Sequence, residues 1–66
     1  MSNNRIGETA GMIWEILAQK GPLTFADLLE STEVPQSLFF MAIGWLSREE
    51  KLRVEPTGGD YLISLA

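Results

Sequence analysis

Glu49 and Glu50 form the one adjacent pair of carboxylates in the chain, and such a pair can share the acid and base roles of a proton-transfer site. Placed at the end of a surface helix, they read instead as solvated side chains. Gly58-Gly59 can turn backbone N–H groups toward a phosphate. A lone glycine pair between two strand-like runs is, however, the chemistry of a tight hairpin. Arg48, Lys51 and Arg53 could neutralise nucleic-acid phosphates, and Gln36 and Ser37 could hydrogen-bond base edges. Glu49, Glu50 and Glu55 interleave with those cations, so a salt-bridged, solvated surface is the stronger reading. Histidine and cysteine are both absent, which removes disulfides, thiolate metal sites, the usual zinc sites and histidine acid–base chemistry. No catalytic, cofactor or metal residue is therefore assigned, and no enzymatic activity is expected.

Sixty-six residues make one domain, 1–66. A chain of this size buries only about 60% of the surface it exposes when unfolded. A single core of this size rarely supplies more than about 3–5 kcal/mol, so small domains commonly add staples. With cysteine and histidine gone, oligomerisation is the staple left, and a homodimer is expected. The absence of cysteine fits a reducing cytoplasm, and Met1 to Arg5 lack the apolar run of a signal peptide. Leu38 to Trp45, the longest apolar run, is far short of the roughly 20 residues of a membrane span. A soluble, cytoplasmic protein without membrane contact is expected. Five basic against nine acidic residues give a net charge of -4. Duplex DNA carries about one negative charge per 1.7 Å of axis, so the average field opposes nucleic-acid binding.

The elements that would position these residues follow from spacing. A first helix is expected from Asn4 to Lys20, capped by Asn3 or Asn4 and stopped by Gly21-Pro22. At about 100° per residue, Ile6, Ala10, Ile13 and Leu17 form its core stripe, with Gly7, Gly11, Trp14 and Ala18 in a second stripe beside it. Glycine inside a helix costs about 1 kcal/mol relative to alanine, so two glycines four apart want a reason. Either a later part of the same chain (the third helix or the wing that follow it) packs close there, or a helix of another copy does, or the spacing carries no meaning. Leu23-Thr24 read as a short strand. Thr24-Phe25-Ala26-Asp27 has the capping-box form and opens a second helix, Phe25 to Ser31, burying Phe25, Leu28 and Leu29.

Thr32-Glu33-Val34 is the turn, and Pro35 is the first residue of a third helix that runs to Glu50. Leu38, Phe39, Ala42, Ile43 and Leu46 fall on one arc and form its core face. Gln36, Ser37, Phe40, Met41, Gly44, Ser47 and Arg48 face outward, with Trp45 at the edge. Leu52 to Glu55 alternates as a half-buried strand and Pro56 ends it. Thr57 to Asp60 is the hairpin turn, and Tyr61, Ile63 and Leu65 form the inward face of the returning strand.

Three helices followed by a two-stranded β wing make an α+β, mostly α, winged helix-turn-helix. The sequence also resembles a particular family. Arg5-Ile6-Gly7-Glu8-Thr9-Ala10-Gly11 with Ile13-Trp14, and Met41-Ala42-Ile43-Gly44-Trp45-Leu46-Ser47-Arg48-Glu49, are similar to motifs of short bacterial and archaeal winged helix-turn-helix proteins of unassigned function. The resemblance covers nearly the whole chain. It implies the same fold, a homodimer and a gene-regulatory setting, and it carries over no catalytic or ligand residues. The chain departs from DNA-binding relatives of the fold in lacking a basic third helix and a basic wing.

Two functions are open at this point. One is a protein-interaction module that dimerises or meets another protein through Gly7, Gly11, Trp14, Phe40, Met41, Gly44 and Trp45, since exposed apolar patches on small proteins mark interfaces. The alternative is a DNA-binding transcription regulator that uses the third helix and wing as a dimer, through Gln36, Ser37, Arg48, Lys51 and Arg53. Charge disfavours the second.

Overall fold

The computed structural model describes residues 3–66, so Met1 and Ser2 of the expected domain lie outside it. Its elements are α1 (Asn3–Lys20), β1 (Leu23–Thr24), α2 (Phe25–Thr32), α3 (Gln36–Arg48), β2 (Leu52–Thr57) and β3 (Asp60–Leu65). α1 already includes Asn3 and Asn4, the two expected caps, and closes at Gly21, whose φ of 79° suits only an unsubstituted Cα. The Gly21 N–H donates to Leu17 O at 2.9 Å, which satisfies one of the last helical carbonyls.

α2 begins as its sequence predicts. Thr24 is extended, and its Oγ1 accepts from the Asp27 N–H at 3.2 Å. The helix runs one residue past Ser31, because the buried Thr32 hydroxyl donates to Leu29 O at 2.8 Å and so needs no water. Glu33, at φ 56°, turns the chain in the left-handed region. Pro35 proves to be the cap of α3 rather than its first residue, its carbonyl accepting from the Phe39 N–H at 3.0 Å. α3 stops at Arg48, two residues short of the expected Glu50, where the left-handed Glu50 (φ 58°) swings the chain toward the wing.

The sheet has three antiparallel strands in the order β1-β3-β2. Leu23 pairs with Ile63 on one side of the central strand, and Val54 pairs with Ile63 on the other. Ile63 is fully buried with Phe39, Ile13 and Leu28, and Ala10, Leu17, Ala42, Ile43 and Leu46 complete one core shared by all three helices and β3. The five expected core residues of α3 are all buried. Ile6 is only half-buried, at the open end of the α1 stripe, and Phe25 and Leu29 of α2 are half-buried as well.

Three expectations about the wing need correcting. Pro56 lies inside β2, opposite Tyr61, rather than ending it. Proline is tolerated in a strand only at an edge, and β2 is one. Val54 is exposed rather than half-buried, and Tyr61, although it shares the inward face with Ile63 and lies against Phe25, stays 47% exposed. Alternation assigns the face of a strand but not how far the strand outruns the core beneath it. The base of the hairpin, at Leu52, Ile63 and Leu65, packs on the core, and further out Tyr61 reaches only the edge of α2, at Phe25. The turn itself is as expected: Thr57 pairs with Asp60, and Gly58 (φ 43°) and Gly59 (φ 85°) take the paired left-handed conformations of a type I′ turn.

Candidate protein-contact surface

The two glycines of α1 are exposed, and a Cβ built on either Gly7 or Gly11 meets nothing within 4 Å. Close packing by the wing or α3 of the same chain, one of the three readings of this spacing, is therefore wrong. The reason is geometric: α3 meets α1 along Ala10, Ile13 and Leu17, one stripe away from the glycines. Beside that contact lies an open groove of about 310 Å³ lined by Gly7, Ala10, Gly11, Trp14, Trp45, Leu46 and Lys51. Trp14 is 42% exposed and Trp45 47% exposed. The volume is at the low end of the ~300–1,000 Å³ range of ligand pockets, and the lining is mainly apolar. Lys51 is the one titratable side chain in it, so the groove can bind apolar groups but holds no acid–base pair.

Four of the seven predicted contact residues, Gly7, Gly11, Trp14 and Trp45, thus share one groove. Phe40 lies on the far flank of α3. Its ring stands edge-on to Phe25 at 5.6 Å and to Phe39 at 5.3 Å, and Phe25 in turn lies 5.8 Å from Tyr61. Phe40 keeps 43% of its surface exposed, so it is half a core residue and half a surface one. Met41 and Gly44 are exposed on the arc of α3 between Phe40 and Trp45, about 140° wide at 100° per residue. The aromatic cluster around Phe25 was not anticipated from sequence. Its signal was the placing of Phe25 and Phe40 at the N-terminal turns of two helices joined by a short turn. Nor was buried Thr9 foreseen, a polar residue next to the core stripe of α1. Among the described residues no buried side-chain nitrogen or oxygen lacks a hydrogen-bond partner.

The nucleic-acid candidates are divided between the two ends of α3. Gln36 and Ser37 begin α3 and Arg48 ends it, so they stand about 18 Å apart at 1.5 Å per residue. Lys51 lies in the groove and Arg53 on the exposed wing. In helix-turn-helix proteins the N-terminal residues of this helix meet the base edges; here the exposed residues at that end are Glu33, Gln36 and Ser37, with no cation. Glu49 and Glu50 are both exposed. Among the described residues no cluster of acidic side chains could hold a metal, and no helix is long and apolar enough to cross a membrane.

Three helices, a short turn between α2 and α3, and a hairpin closing the sheet define a winged helix-turn-helix domain. The chain belongs to the family described as winged helix-turn-helix domain (DUF2582), which matches residues 1–65. It is 35% identical over 63 residues to the uncharacterized protein MJ1608 of Methanocaldococcus jannaschii, covering 92% of this chain and 90% of that one. Among solved structures it is similar to the solution NMR structure of protein BT2368 from Bacteroides thetaiotaomicron. That likeness has a TM-score of 0.82 at 26% identity, covering 98% of this chain and 79% of the other.

Proposed function

We propose that this winged helix is a non-catalytic protein-interaction module that self-associates and works in a gene-regulatory setting through protein contacts rather than by reading DNA. The observation that carries the reading is the groove between the two tryptophans. Gly7 and Gly11 each cost about 1 kcal/mol of helix stability, yet among the described residues nothing packs on the space a Cβ would fill. A partner that lays apolar side chains over the glycines and against Trp14 and Trp45 would make use of that space. Tryptophan and methionine are enriched in interface cores, and Met41 extends the patch along α3. The net charge of -4 and the cation-free start of α3 weigh against the DNA-reading alternative.

The experiment has two arms. Titration with random duplex DNA at about 50 mM salt gives phosphate contacts their best chance; no binding is expected, and micromolar binding that fades steeply with salt would overturn the proposal. Affinity capture is then compared between the native protein and Gly11→Leu, whose added side chain enters open space in the groove. A partner retained by the native protein and lost by the variant supports the reading. Equal retention by both removes the groove from it.

A further inference from the structure

β2 is an edge strand whose outer side carries no neighbour in the sheet among the described residues. Which of its backbone groups point outward follows from the ladder. The Ala66 N–H donates to Lys51 O at 3.0 Å, and the register runs from Leu52↔Leu65 to Thr57↔Asp60. Antiparallel pairs alternate between hydrogen-bonded and non-bonded. Lys51, Arg53, Glu55 and Thr57 therefore bond to β3, and Leu52, Val54 and Pro56 turn their backbone groups to the free edge. The opposite side of β3 is closed, by β1 at Leu62 and Ile63 and by the Asp60 carboxylate, which accepts from the Tyr61 N–H at 2.6 Å.

We infer that β2 is the self-association surface of this protein and that it pairs antiparallel with β2 of a second copy across a two-fold axis at Val54. The inference rests on the self-association part of the proposed function and names the surface. Because only alternate residues face outward, the axis must fall on a residue, and charge selects which one. Centred on Val54, Arg53 stands opposite the partner's Glu55, and Glu55 opposite the partner's Arg53. Opposite charges in directly facing positions stabilise a sheet, and like charges destabilise it. Centring on Arg53 sets two guanidiniums against each other and runs Pro56 past the strand onto the partner's left-handed Glu50. Centring on Glu55 sets two carboxylates together.

The valine-centred register also accommodates the proline. The two Val54 residues exchange N–H···O=C bonds, and each Leu52 N–H donates to the carbonyl of the partner's Pro56. Proline supplies that acceptor without needing the N–H it lacks. Arg53 and Glu55 share the sheet face of Ser64 and Leu62, neither of which is charged, so no cross-strand ion pair within the protomer competes for them. Edge charges and proline commonly protect a strand from indiscriminate pairing. Here the same devices disfavour the two neighbouring registers and leave this one open, with its contacts repeated by the two-fold as an isologous interface requires.

The test uses charge exchange at two exposed positions, which leaves the core untouched. Light scattering on the native chain should give a dimer. Arg53→Glu and Glu55→Arg, each confirmed folded by circular dichroism, should each weaken the dimer about 10–100-fold, since each replaces two attractive facing pairs by repulsive ones. Mixing the two variants restores opposite charges at both positions and should restore the dimer mass. Amide exchange in the native dimer should protect Val54, whose N–H is otherwise open to water. Should both single variants remain as dimeric as the native chain, the β2 interface is overturned while self-association stands. A native chain that is monomeric overturns both.

Discussion

At the scale of single residues, the glycines of α1 are where stability and the proposed function pull apart. A Cβ at Gly7 or Gly11 enters empty space within a regular helix, so Gly7→Ala and Gly11→Ala should each stabilise the isolated domain by about 1 kcal/mol. Urea unfolding of each variant measures this, and a loss of stability would mean that the groove is closed in solution. Phe40 behaves differently from its neighbours on the outer face of α3. It loses edge-to-face contacts with Phe25 and Phe39 on truncation, at about 0.5–1.5 kcal/mol per aromatic pair. Phe40→Ala should therefore cost about 1–3 kcal/mol in the same experiment, whereas truncating Met41, which stands 51% exposed, should cost little. Equal effects at the two positions would show that the four-ring cluster contributes nothing.

At the scale of elements, the wing is the clearest case of local sequence setting local geometry. Gly58 and Gly59 both sit at positive φ, but not equivalently. Asn-Gly is the preferred pair for a type I′ turn, so Gly58→Asn should leave stability nearly unchanged. Gly59→Ala, held at φ 85°, should destabilise the hairpin by about 1–2 kcal/mol. Thermal unfolding of the two variants side by side checks the asymmetry. Helix periodicity was legible for a related reason: a period of 3.6 puts Leu38, Phe39, Ala42, Ile43 and Leu46 on one face whatever lies beneath, and all five are buried. The spacing of Gly7 and Gly11 was legible only as a close-approach signal, because spacing along a helix does not say which neighbour arrives. The depth of the wing was not legible at all. Tyr61 and Val54 alternate as inward residues should, but their burial depends on where the helices end beneath the sheet, a tertiary fact. Pro56 misled for the complementary reason, since a proline that ends a central strand is permitted within an edge strand, and strand order is not written in local sequence.

At the scale of the whole molecule, one small core has to hold every element, and Ile63 is its hinge point. It is fully buried in the central strand, flanked by Leu23 and Val54, and β3 packs against both α1 and α2. Truncating a buried isoleucine to alanine costs about 2–5 kcal/mol, comparable to the roughly 3–5 kcal/mol that a core of this size rarely exceeds. Ile63→Ala should thus be largely unfolded at low protein concentration, while Ile63→Val, at about 0.5–1.5 kcal/mol, should remain folded. The proposed self-association would add a second term. Binding that is confined to the folded state stabilises it by mass action, and β2 pairs directly with the strand that carries Ile63. Raising the concentration of Ile63→Ala should therefore recover helical circular dichroism, and combining it with Arg53→Glu should abolish that recovery. If Ile63→Ala is folded at every concentration, the core is not marginal and dimerisation is not needed as a staple. If it stays unfolded throughout, pairing at the wing is too weak to support the fold.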